Sequence, residues 1–296
     1  MAAFGFSIAL GGYSCASARS LRREIESAPR DPASGVILGT EAADLGDAEA
    51  SAACLLLHGF VGSRIDFAGL GDRLSEAGFY VRMVRLPGHG TTPQDFAGKR
   101  PEDFIQAVRD EYGALRSRFD VVHVVGFSMG GALATLLASE QDVDRLVLVA
   151  PFYRITYFWY YVLPPSIWNA LFSPVIRYVP KGERFIKVNR RESLPHMFSY
   201  KSVPTRGVKT LVDLGKRARR PEVLREVTCP VLVLHTRGDD AASLGAAEKA
   251  FGLLGSRDKT MHIYTERSNH HLLWDYDGED AAQRIVDFLL ELSVDR

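Results

Sequence analysis

The sequence predicts an α/β protein built on a mostly parallel, doubly wound sheet with an inserted helical cap. Three observations predict it: short apolar runs alternate with amphipathic stretches; one run, Val121–Val125, passes through a glycine-rich turn into a helix of small and apolar residues; and residues 151–225 interrupt the alternation. Continuous apolar strands separated by helices mark a parallel sheet buried on both faces. The length of 296 residues suits one large domain with an insertion. A hydrophobic share of 46% with 24% charged residues is that of an ordinary globular chain, and a net charge of +0 gives no global attraction to nucleic acid. The three cysteines, Cys15, Cys54 and Cys229, form no close pair, so neither a disulfide framework nor a CxxC redox or zinc pattern is present, and no metal is expected.

Residues 1–50 read as a lead-in. Ala2 to Gly12 is a short apolar run followed by Tyr13-Ser14-Cys15-Ala16-Ser17, the layout of a signal's apolar region ahead of a processing site, yet no Lys or Arg precedes it and Gly12 stands where a lipoprotein signal carries Leu. Two readings stand, an export or lipoprotein signal and an N-terminal helix or tail, and with them two locations, the cell envelope and the cytoplasm. The run is too short to span a bilayer. Charges alternate with apolar residues from Arg19 to Glu26, and Ala28 to Ser51 reads as surface loop with one β-like patch at Gly35 to Leu38.

Residues 51–150 carry the first half of the alternation. Strands are predicted at Ala53–Leu57, Tyr80–Val84, Val121–Val125 and Leu146–Val149, with helices at Phe67–Ala77, Glu102–Arg118 and Met129–Ser139. Residues 226–296 carry the second half, with strands at Val231–His235 and Met261–Tyr264 and helices at Leu244–Leu254 and Asp280–Leu292. The intervening residues 151–225 hold 15 Lys and Arg against 4 Asp and Glu and open on a cluster of aromatics that includes Phe152, Tyr157 and Trp159. This segment reads as a cap over the C-terminal edge of the sheet. Its aromatics could line an apolar acyl pocket, and its basic face, like the N-terminus, could meet anionic lipid head groups, the other reading being ordinary packing with a solvated basic face.

The chemistry is carried by Gly126-Phe127-Ser128-Met129-Gly130. In a strand–turn–helix context the serine takes a strained backbone conformation, and glycines on either side remove side chains that would clash where strand and helix approach. Helix amides then face any negative charge that develops beside the serine. Two further stretches sit at strand ends, His58-Gly59-Phe60 and Leu86-Pro87-Gly88-His89-Gly90.

Together these stretches resemble the α/β-hydrolase superfamily, most closely its bacterial carboxylesterases and monoacylglycerol-lipase-like enzymes, often grouped with serine-aminopeptidase-like hydrolases. The resemblance covers residues 53–150 well and 228–292 moderately. It implies that Ser128 is a nucleophile, that the backbone N–H groups of Phe60 and Met129 form an oxyanion hole, and that His58 braces its loop. It also implies the order nucleophile, acid, histidine. The acid falls in Thr236-Arg237-Gly238-Asp239-Asp240, with Asp239 at the matching position and Asp240 as the alternative. The histidine falls in Ser268-Asn269-His270-His271-Leu272-Leu273-Trp274-Asp275, with His270 at the matching position and His271 as the alternative. Arg85 stands where many relatives carry an aspartate. The implied activity is hydrolysis of small-molecule carboxylic esters, acyl glycerols or other medium-chain lipid-like esters, through an acyl-enzyme on Ser128 and without a cofactor. Thioester hydrolysis, acyl transfer or peptidase action by the same serine remain open, as does a catalytically silent, envelope-associated scaffold.

Overall fold

The computed structural model describes residues 2–156, 176–180 and 186–291. Its centre is a seven-stranded sheet. The strands are β1 (Ala43–Leu45), β2 (Ala52–Leu57), β3 (Tyr80–Met83), β4 (Val121–Phe127), β5 (Leu146–Val149), β8 (Val231–Thr236) and β9 (Lys259–Tyr264), in the spatial order β1-β3-β2-β4-β5-β8-β9. All neighbours are parallel except the β1–β3 pair at one edge. Side chains alternate between two apolar layers. Ala53, Leu55, Leu57, Val122, Val124, Leu146 and Leu148 face one cluster, while Cys54, Leu56, Val125, Phe127, Val147 and Val149 face the other. An apolar layer on each face is what a period of two produces when helices cover both sides.

The first layer is closed by α4 (Pro101–Arg116) and α5 (Met129–Ala138), and the second by α2 (Leu70–Glu76) and α9 (Gly278–Leu290). A short α3 (Pro93–Ala97) precedes α4, and α8 (Leu244–Leu253) joins β8 to β9. Every residue of α5 is buried, as its lack of any polar face anticipates. After β2 the chain crosses to β3 on one side, and after β3 it returns to β4 on the other, so the β2 and β4 loops diverge at the C-terminal edge. Such a switch point opens the crevice in which α/β proteins place their chemistry.

Within 151–225 the described residues form a two-stranded antiparallel ribbon, β6 (Tyr178–Pro180) with β7 (Ser202–Pro204), then α6 (Thr205–Ala218) and α7 (Pro221–Glu226). Leu211, Leu214 and Ala218 of α6 join the first core layer. Buried positions of α6, residues 207, 210, 211, 214, 215 and 218, recur at helical spacing, so its signal is in the sequence, where the segment reads only as a cap with a basic excess.

The N-terminal region differs from a plain lead-in. Helix α1 (Ala2–Ser27) runs through the apolar stretch and the alternating charges. The patch at Gly35 to Leu38 gives only an isolated bridge between Arg30 and Ile37, and the strand that joins the sheet is β1. Among the described residues no helix is long and apolar enough to cross a membrane.

Candidate active site

The turn between β4 and α5 holds Ser128 at φ 53° and ψ −113°, a left-handed conformation for a residue with a side chain. Backbone hydrogen bonds hold it there. Its N–H donates to the Val149 carbonyl at 3.0 Å, and its own carbonyl accepts from Phe152 N–H at 2.9 Å. The two glycines are required by space: a Cβ at Gly126 would press on the Gly130 carbonyl, and one at Gly130 would overlap the Leu57 carbonyl of the adjacent strand. Val61, Ser128 and Ala150, near the ends of β2, β4 and β5, all have positive φ. Strain is thus gathered at one edge of the sheet.

Ser128 Oγ lies 2.8 Å from His270 Nε2, and His270 Nδ1 lies 2.8 Å from Asp239 Oδ2. All three are buried. The carboxylate accepts the Nδ1–H, which leaves the Nε2 lone pair facing the serine hydroxyl. Asp239 Oδ1 is occupied by the N–H groups of Ala241 and Ala242 at 2.8 and 2.7 Å. Burial pushes the Asp239 carboxyl up, but His270, by charge and by hydrogen bond, together with His235 and the Ala242 N–H, outweighs burial and holds it below its ordinary value. His235 Nε2 stands 3.9 Å from Asp239 Oδ2, while its Nδ1 accepts from Thr236 N–H.

The alternatives are placed elsewhere. Asp240 accepts from the Asn269 side-chain amide at 3.2 Å and lies 3.9 Å from Lys187 Nζ. His271 donates its backbone N–H to Lys187, and its ring lies against Phe127.

The second strand end is built by two buried histidines. His58 Nε2 accepts from Leu86 N–H at 3.1 Å and its Nδ1–H donates to the Gly59 carbonyl at 2.9 Å. His89 Nε2 accepts from Val61 N–H at 3.1 Å and its Nδ1–H donates to the Pro87 carbonyl at 3.1 Å. Burial pushes His58 down to about 4 and His89 well below its ordinary value, so both are neutral rings that clamp loop 58–61 to loop 86–89. Tyr200 completes the clamp: its backbone N–H donates to Val61, and its hydroxyl donates to Gly88 and accepts from Thr91 N–H. Arg85, the departure noted above, donates to the His89 carbonyl at 2.9 Å. The backbone N–H groups of Phe60 and Met129 have no acceptor among the described residues. Phe60 follows the end of β2 and Met129 follows Ser128 at the end of the adjacent β4.

Several residues of this site were not singled out from the sequence. Asp275 accepts backbone N–H bonds from Asn189, Arg190, Asn269 and Tyr276 at 2.7 to 3.0 Å, tying the segment after β6 to the loop that carries His270. Asn269 accepts from the N–H of His270 and of Asp240, and buried Asp66 accepts from Gly59 N–H. The run of motif residues ending at Asp275 was the available signal. Of the aromatics expected at an acyl pocket, Phe152 is buried in the core against Gly215 of α6, whereas Tyr157 and Trp159 lie outside the described residues.

Comparison with known proteins agrees with this geometry. The family model described as serine aminopeptidase, S33, matches residues 48–277. A carboxylesterase of Bacillus subtilis (strain 168) is 25% identical over 242 residues, spanning 81% of this chain and 93% of that protein. A thermostable monoacylglycerol lipase of Bacillus sp. (strain H-257) is 27% identical over 237 residues, spanning 79% and 88%. Among solved structures, one from the work on the metagenome-derived lipolytic enzymes LipS and LipT superposes with a TM-score of 0.76 at 25% identity, covering 86% of this chain and 98% of that one. A soluble variant of monoglyceride lipase from Saccharomyces cerevisiae shares the fold, with a TM-score of 0.72 at 16% identity over 84% and 91% of the two chains. With the elbow, the His-Gly loop and the later acid and histidine all inside the matched span, the chain belongs to the serine aminopeptidase (S33) family of α/β-hydrolases, on its carboxylesterase and monoacylglycerol-lipase-like side.

Proposed function

We propose that the protein is a carboxylic ester hydrolase that forms an acyl-enzyme on Ser128 and acts on acyl glycerols or other medium-chain, lipid-like esters. The observation that carries the reading is the unbroken line Ser128 Oγ, His270, Asp239, with both links at 2.8 Å. A serine hydroxyl is a weak nucleophile until a neighbouring base takes its proton and a third group fixes that base. In this reading His270 Nε2 accepts the Ser128 proton as Oγ bonds to the ester carbon, and the carbonyl oxygen takes the negative charge beside the Phe60 and Met129 amides. The imidazolium returns that proton to the alcohol oxygen as the C–O bond breaks. Water then repeats the sequence on the acyl-enzyme, its proton passing through His270 back to Ser128 Oγ as the carboxylic acid leaves. Asp239 holds the imidazole in orientation and stabilises its charged form.

The substrate class is supported by the names of the carboxylesterase and monoacylglycerol lipase relatives and by the aromatic opening of the inserted segment. The test is hydrolysis of a chain-length series of p-nitrophenyl esters and 1-monoacylglycerols. The reading expects kcat/KM to peak at medium acyl chains. A preference for acetate, or faster turnover of aminoacyl amides or acyl thioesters than of any ester, would contradict it.

A further inference from the structure

Helix α1 is attached through its C-terminal half. Ser17 Oγ–H donates to the Tyr178 carbonyl at 2.8 Å, Leu21 is buried, and the Glu24 carboxylate accepts the Lys201 N–H at 2.6 Å. These contacts lay the helix across the β6–β7 ribbon. The helix begins well before them, and residues 2–18 contain no Asp, Glu, Lys, Arg or His while holding Phe4, Phe6, Ile8 and Leu10. At about 1.5 Å per residue that is about 25 Å of uncharged helix.

Where the uncharged stretch ends, cations gather. Arg19, Arg22 and Arg23 follow it on α1, Arg177 lies on the chain entering β6, and Arg206 lies in the first turn of α6; all five are exposed, and none makes a salt bridge among the described residues. Arg177 and Tyr178 line one groove with Tyr13, Ser17 and Leu21 of α1, and the same two residues line a second, adjoining groove with Arg206. The acidic side chains of α1 are Glu24, engaged with Lys201, and Glu26. Tyr13, 37% exposed and lining the groove with Tyr178, adds apolar surface to the same face. An apolar segment continuous with unpaired arginines is the pattern of an element that lies in a bilayer interface, its apolar part among acyl chains and its cations among head groups. Nucleic acid or an acidic protein would engage the arginines but leave the apolar part without a medium.

We infer that α1 together with the arginines around β6 docks the protein on a bilayer bearing anionic lipid, with the N-terminal half of α1 entering the interface. None of the residues invoked here takes part in the chemistry at Ser128, so this inference does not rest on the ester-hydrolase reading. It is tested by co-sedimentation of the full chain with phosphatidylcholine vesicles with and without phosphatidylglycerol. The readout is bound protein, independent of turnover. The expected result is retention on anionic vesicles, at least tenfold less on neutral ones, and release at about 1 M salt, where the screening length falls to about 3 Å. The variants R19E/R22E/R23E and F4D/I8D, whose folding is checked by circular dichroism, are each expected to reduce retention at least tenfold. Equal binding to both compositions, no binding to either, or undiminished binding by the folded variants would overturn the inference. So would stronger retention on duplex DNA than on anionic vesicles.

Discussion

At the scale of single residues, the adjacent pairs Asp239–Asp240 and His270–His271 separate cleanly by contact. Asp239 is sealed between two backbone amides and His270, whereas Asp240 faces Asn269 and Lys187. Asp239→Asn is therefore expected to lower kcat by about 10³–10⁴-fold, because it presents the wrong hydrogen-bonding partner to Nδ1–H, while Asp240→Asn and His271→Ala each cost less than about tenfold. Steady-state hydrolysis of one soluble ester decides it, and equal losses at both aspartates would reverse the assignment. Ser128, Asp239 and His270 are brought forward by the resemblance to α/β-hydrolases, which implies the order nucleophile, acid, histidine at successive strand ends, and the three are joined by hydrogen bonds. Asp275 stands in the sequence only as the end of a motif, without its role as an acceptor of four backbone N–H groups, and Asn269 and Tyr200 are not marked at all, since they act on backbone groups of distant loops. No spacing rule records such contacts.

At the scale of elements, the loops at the C-terminal edge are held by polar side chains rather than by apolar packing. Asp275 is the point where three segments meet, and four backbone N–H groups converge on one buried carboxylate. Asp275→Ala would leave these donors without their acceptor, at about 1–3 kcal/mol for each that finds no other partner. It is expected to lower the denaturant midpoint clearly and to cut kcat at least tenfold through the displaced His270 loop. A wild-type midpoint and rate would show that the junction does not matter. The central strands and α5 were legible from period-two and all-apolar patterns, with ends shifted by one or two residues. Edge strand β1 was not legible, because three residues with one exposed centre carry too little periodicity, whereas α6 has a clear helical spacing of buried positions that a reading of its segment as a basic cap passes over.

At the scale of the whole molecule, the sheet buries histidines as neutral rings, and this sets its response to acid. Burial pushes His58 and His123 each down to about 4, and His89 well below its ordinary value. The unfolded chain takes up these protons near pH 6.5 while the folded chain refuses them, so stability is lost progressively as pH falls from about 6.5 toward 4. His58 and His123 each contribute on the order of 3 kcal/mol to that loss. Asp239, with a lowered carboxyl pKa, adds its own loss only as pH falls below its unfolded value near 3.8. Urea unfolding across this window should show the slope, and His123→Leu, on β4 and packed beside Phe79, should flatten it by about one proton. An unchanged slope in that variant would contradict the assignment.

The architecture meets at one oxygen: a switch-point crevice, a strained elbow and the His270–Asp239 pair all bear on Ser128 Oγ. The most direct test is to treat the folded protein with a fluorophosphonate probe and map the adduct by peptide mass spectrometry. The expected result is stoichiometric modification of Ser128 alone, abolished in Ser128→Ala and strongly slowed in His270→Ala. Absence of any adduct on the folded protein, or an adduct that persists in Ser128→Ala, would contradict the account.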